Sequence, residues 1–149
     1  MGKSTKDKEY QRYVSSIGIV LLDTLVERKN KEKKIETLLT NWSLTTLGCL
    51  LLGCIYGYYT FSSQNVQNKL DGMASNILLF VFIGILAVCL SQIKLVKKKL
   101  EKAEDEFDAL RFEVIERSEE LWDTKERWKN REKVYELMKN EYDVNLFHK

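Results

Sequence analysis

The sequence predicts an all-α fold: a transmembrane helical hairpin of two spans that carries long antiparallel cytoplasmic helical arms. Three observations lead there. Two uncharged apolar runs, Trp42–Phe61 and Met73–Ile93, are 20 and 21 residues long. Lysine and arginine crowd the outer flanks of both runs and nearly vanish between them. The chain after Gly84 has neither glycine nor proline, as a long helix prefers.

Composition removes most other classes. With 149 residues, 44% hydrophobic and 31% charged, there is room for one domain or one compact set of helices. No proline and only 7 glycines argue against an all-β sandwich or barrel, which needs frequent turn residues, and against a Gly-rich phosphate loop. A net charge of +2 gives no footprint for nucleic acid, and the single histidine, His148, leaves no basis for a His-built metal site or triad.

About 20 apolar residues rising 1.5 Å each cross a hydrocarbon layer of ~30 Å. A soluble chain of this size would hardly bury two helices that are hydrophobic on every side. The expected divisions are a cytoplasmic N-terminal arm (1–41), a first span (42–61), an extracytoplasmic loop (62–72), a second span (73–93) and a cytoplasmic C-terminal arm (94–149). Orientation follows from the cations. Arg28, Lys29, Lys31, Lys33 and Lys34 precede the first span, Lys94, Lys97, Lys98, Lys99 and Lys102 follow the second, and the loop has only Lys69. That bias keeps both termini on the cytoplasmic side of a cell membrane. Trp42 at one boundary and Tyr56, Tyr58, Tyr59 and Phe61 at the other suit interfacial aromatic belts. The early apolar stretch Val14–Val26 is interrupted by Asp23 and is too short to span, so it reads as neither a signal peptide nor an anchor. The opening Met-Gly-Lys-Ser-Thr-Lys has Lys6 where a myristoylation signal wants Ser or Thr.

Small residues mark the expected packing faces inside the spans: Thr45, Cys49, Gly53 and Gly57 in the first, Gly84, Ala87 and Ser91 in the second. Such stripes let backbones approach in lipid, within a hairpin or between copies. Cys49, Cys54 and Cys89 all lie in the spans and make no CxxC pair, so they read as small apolar residues.

The arms read as helices that pair. A seven-residue frame runs through Ile93, Leu100, Phe107, Val114, Leu121, Trp128, Tyr135 and Tyr142, with Val96, Ala103 and Leu110 as companions before Arg117, Thr124 and Arg131 make it half-polar. It fits a helix packed on a neighbour better than a sustained coiled coil. The neighbour is the N-terminal arm, helical from Tyr10 to Asn41. The expected seam joins Val14, Ile17, Leu21 and Leu25 to Leu100, Phe107, Leu110, Val114 and Leu121. Counting equal distances from the bilayer sets Lys31 near Glu104 and Leu21 near Val114, so that the Lys29–Lys34 run, with Lys31, Lys33 and Lys34, faces Glu101, Glu104, Asp105 and Glu106. Beyond Trp122 the longer arm runs out of partner. Asp123 with Glu126 resembles a capping box, so the chain either folds back as 125–142 or continues as a straight stalk.

No catalytic constellation is visible, no cofactor or metal is implied, and neither span has an ionisable residue to mark an ion path. The expected partners are the lipid bilayer, another copy of the chain and an unidentified cytoplasmic protein. The expected role is a membrane-anchored interaction or scaffold protein. The alternative is an oligomeric two-span pore lined by Thr45, Thr46, Ser75, Asn76, Ser91 and Gln92.

The segments EKAEDEFDALRFEVIERSEELW (101–122), ERWKNREKVYELMKNEYDVNLFHK (126–149) and VERKNKEKK (26–34) resemble the YpbF-like proteins, small two-span proteins of Bacillus and relatives with unknown function. The resemblance implies a bacterial cytoplasmic membrane. It carries no known active residues.

Overall fold

A computed structural model describes residues 9–62 and 77–147, and every described element is helical. A 3-10 turn (Glu9–Tyr13) precedes α1 (Ser16–Ser62). Then come α2 (Ile77–Glu116), α3 (Ser118–Leu121), α4 (Lys125–Lys129) and α5 (Arg131–Tyr142). Apart from Ser62, the expected loop 62–72 lies outside the described residues, as do Met73, Ser75, Asn76 and His148. The described residues fall into two compact units, to both of which α1 and α2 contribute.

The first unit joins residues up to Lys34 with those from Glu101 onward. The N-terminal arm is not one continuous helix from Tyr10 as expected: the 3-10 turn ends at Tyr13, and Ser15 caps α1. Its Oγ accepts from the Gly18 amide at 3.2 Å, its carbonyl accepts from Ile19, and its own amide donates to the Leu121 carbonyl at 3.1 Å. At Gly18, a Cβ would fall 2.2 Å from Cγ1 of buried Val14 and 3.5 Å from the Leu121 Cβ. The glycine is therefore where this end of α1 comes against Leu121.

One apolar cluster fills the unit. Tyr10, Val14, Leu22, Leu25 and Val26 meet Phe107, Leu110, Val114, Leu121 and Trp122, and Val134, Tyr135, Met138, Val144 and Leu146 complete it. Of the expected seam, Val14, Leu25, Phe107, Leu110, Val114 and Leu121 belong to this cluster, Leu21 packs against it partly buried, and Leu100 falls in the second unit. Ile17 requires correction: it is 60% exposed. At 100° per residue it stands roughly a quarter turn or more away from the stripe formed by Gly18, Leu22 and Leu25, so Leu22 takes the inward place.

The C-terminal segment folds back. α3 ends at Trp122, Thr124 is extended, and Thr124, not Asp123, caps α4, its hydroxyl accepting from the Arg127 amide at 3.2 Å. The expected helix 125–142 is interrupted at Asn130. Asp143 then closes α5 in the left-handed region (φ 59°), with its amide bonded to Lys139 and Met138 carbonyls. The tail after it returns Val144 and Leu146 to the core, and Tyr142 meets Tyr10 edge-on with ring centroids 6.2 Å apart.

The second unit, Ile35–Leu100, contains α1 from Ile35 to its end and α2 from its start to Leu100. Phe82 lies against Gly53 so closely that a Cβ there would be 2.2 Å from the ring. Thr46 is seven residues before Gly53 and Cys89 seven after Phe82, so the same antiparallel register sets them level, and both are buried.

Candidate functional site

Two features of the molecule could act on surroundings: the outer surface of the apolar helix pair, and the charged and aromatic surface of the helical unit.

The apolar pair is open to its surroundings on nearly all sides. Only 6% of the most apolar 18-residue stretch of either helix is buried. Leu44, Leu51, Leu52, Tyr58, Tyr59, Ile77, Phe80 and Val88 are among the large side chains more than half exposed. A helix hydrophobic all round with its large side chains outward needs an apolar medium or partner.

The small residues divide between contact and open surface. Gly53 makes the close approach to Phe82, and Cys49 is half-buried. Among the described residues, nothing lies within 4 Å of a Cβ added at Gly57 or Gly84, and Thr45, Ala87 and Ser91 are exposed. The hydroxyls of Thr45, Thr46 and Ser91 donate to Asn41, Trp42 and Ala87 carbonyls of their own helices at 2.8–2.9 Å. Gly53→Ala is therefore expected to weaken the helix pair, because the Phe82 ring must move, whereas Gly57→Ala and Gly84→Ala leave it unchanged. Unfolding of the full chain in detergent by increasing SDS, followed by helix-to-helix fluorescence transfer, measures this; equal loss in all three variants contradicts it.

Charge joins the arms within the helical unit through Glu106. Lys31 Nζ lies 3.1 Å from Glu106 Oε2, Lys102 Nζ lies 3.9 Å from Oε1, and the Arg28 guanidinium donates to the Glu106 backbone carbonyl. The hydrogen bond from Lys31 holds the Glu106 carboxyl below its usual range. Lys29 pairs with Glu32 at 2.7 Å and sits 4.8 Å from the Phe107 ring centroid. Lys33 meets Asp143 at 3.3 Å. Of the acids expected to face the lysine run, Glu106 is met by Lys31 and the others are not. Among the described residues, Lys34, Glu101, Glu104 and Asp105 are exposed and form no ion pair. Glu101 and Asp105, four apart, share the face of α2 opposite Ala103 and Phe107, while Glu106 flanks the seam.

Two tyrosines are titratable groups placed in apolar surroundings. Burial, then the hydrogen bond to Asp23 at 2.5 Å, pushes the Tyr10 phenol far above its ordinary value. Burial also raises Tyr135, with Arg131 opposing. A phenol held neutral in the fold stabilises fully below the unfolded value near 10, and that stability is lost as pH rises beyond it, when only the unfolded chain releases the proton. Denaturant titrations at pH 9, 10 and 11 are expected to show stability falling above pH 10, by up to about 1.4 kcal/mol per pH unit from Tyr10, with Tyr135 acting in the same direction. Tyr10→Phe is expected to flatten that fall; an unchanged slope in this variant refutes the assignment.

The surface of the C-terminal segment carries an aromatic ridge. The Arg131 guanidinium lies 4.1 Å from the Trp128 ring centroid and 5.6 Å from that of Tyr135, and Tyr135 meets Phe147 edge-on at 5.4 Å. Trp128 and Phe147 are each 42% exposed. Trp128 continues the seven-residue frame in sequence, but the turn at Trp122–Thr124 takes it off the seam. Among the described residues, no group of three or more His, Cys, Asp or Glu side chains is placed to hold a metal ion.

The fold thus defines an all-helical protein in which two long, outwardly apolar helices are continuous with a small helical unit that has its own core. Residues 21–149 match the family described as protein of unknown function (DUF2663), and the chain belongs to that family. It is similar to the uncharacterized protein YpbF of Bacillus subtilis (strain 168), with 35% identity over 129 residues, covering 85% of each chain. No solved structure matches.

Proposed function

We propose that this protein is a two-span membrane anchor that holds a helical docking unit at the cytoplasmic face of a cell membrane. The observation that carries the reading is the contrast between the two parts. The helical unit encloses a full apolar core, whereas the apolar helix pair turns nearly all of its large side chains outward. Ten cations on the outer flanks of the spans support a cytoplasmic position for both ends. Among the described residues, the hydroxyls of Thr45, Thr46 and Ser91 bond back to their own helices, which supports an anchor over a channel. The Trp128–Phe147 ridge, with Arg131 over it, is the face offered to a protein partner, since exposed aromatics beside arginine are typical anchors of interfaces.

The test is insertion and topology in intact cells. The chain is expected to resist carbonate extraction, and an impermeant maleimide to label Ser63→Cys but not Lys125→Cys. Extraction by carbonate overturns the anchor, and labelling at Lys125→Cys overturns the cytoplasmic placement of the helical unit. For docking, in-cell photo-crosslinks from position 132 are expected to fall when Trp128→Ala is introduced; unchanged crosslinks remove this face from the reading.

A further inference from the structure

We propose that Lys94, Lys97, Lys98 and Lys99 form a binding patch for the phosphates of anionic lipid headgroups. This rests on the membrane-spanning reading and adds a ligand to it. All four are exposed on α2 and form no ion pair among the described residues. Elsewhere along the C-terminal half four cations are paired, and the other unpaired ones, Lys125, Lys129, Arg131, Lys133 and Lys139 among the described residues, are spread along the chain rather than clustered. Lys102 has Glu106, Arg111 has Asp108, Arg117 has Glu113 and Glu120, and Arg127 has Asp123. Acids are not scarce nearby, because Glu101 follows Lys97 by four and Lys98 by three, the spacings at which side chains meet on a helix. The lysine block is nonetheless left without a protein counter-charge, in the turn that follows the last apolar residue of the run, Ile93.

The dimensions suit a headgroup layer. From Lys94 to Lys99 the helix rises about 7.5 Å, and the polar zone on each side of a bilayer is about 5–8 Å thick. Lys94, Lys97 and Lys98 share one outward face at i, i+3 and i+4, and their flexible stems let ammonium groups reach along that zone. Lipid phosphate is the counter-charge held at that depth, and each lysine near such a surface favours it by about fivefold.

Full-length protein in neutral detergent is titrated with phosphatidylglycerol or phosphatidylcholine, and retained lipid is read by native mass spectrometry. The wild type is expected to retain phosphatidylglycerol at least tenfold better, less so in high salt. The preference is expected to disappear in Lys94→Gln/Lys97→Gln/Lys98→Gln/Lys99→Gln and to survive in Lys125→Gln/Lys129→Gln/Lys133→Gln. No preference in the wild type overturns the proposal without needing any variant, as does an equal preference in the first variant. Displacement of bound lipid by millimolar glycerol phosphate or inorganic phosphate also overturns it, in favour of a soluble anion. Carbonate extraction of the cell membranes before detergent is added separates the two readings. Retained protein without lipid preference removes the patch and leaves the anchor, whereas released protein removes both.

Discussion

Trp122→Ala is expected to destabilise the helical unit by about 3–5 kcal/mol. Trp122 is 2% exposed, the largest fully enclosed side chain in that core, and it stands where the chain turns from α3 toward α4. Its ring meets Tyr135 edge-on at 5.5 Å, so removal opens a void between the turn and α5 and also loses an aromatic pair. The indole nitrogen is buried without a hydrogen-bond partner among the described residues. Trp122→Phe therefore keeps much of the volume and removes an unpaired donor, and is expected to lie far closer to the wild type than the alanine variant. Denaturant unfolding monitored by near-ultraviolet dichroism compares the three. Equal losses for phenylalanine and alanine contradict this account of the packing.

Leu22→Ala and Ile17→Ala separate the observed face of α1 from the one suggested by sequence spacing. Leu22 is fully buried and its truncation is expected to cost about 2–5 kcal/mol. Ile17 is 60% exposed, and its truncation is expected to remain within about 0.5 kcal/mol. Amide exchange of α1 in the full chain is expected to accelerate in the first variant only. The reverse order would mean that α1 is rotated about its axis from the position described.

Much of the helical content was legible because it rests on segregation of apolar and charged residues, which survives any detail of packing. The depth register of the arms was also close. Equal counting from the apolar runs placed Lys31 level with Glu104, and Lys31 meets Glu106, half a turn further on. The facing was harder. Ile17–Leu22 is almost continuously apolar, so periodicity alone cannot choose between Ile17 and Leu22; the small residue Gly18, against Leu121, was the local clue. The partner of Lys33 was hidden for another reason. Asp143 is brought to it by the fold-back, which depends on the turn after Trp122 and the left-handed cap. Tyr10, Val144 and Leu146 belong to no extended helical pattern, so their burial required the tertiary structure. The small-residue stripes were visible, but only the Phe82 ring shows which glycine is used.

The Tyr10–Tyr142 contact has a consequence for biogenesis. The two rings are separated by most of the chain length, and the same core takes residues from both extremities. A ribosome releases the first of these long before the last, so the unit cannot close until translation has passed Leu146. Until then the apolar side chains near the N-terminus remain uncovered. A product that stops before Val144 and Leu146 therefore presents these side chains to proteases and chaperones, whereas one that includes them withdraws them.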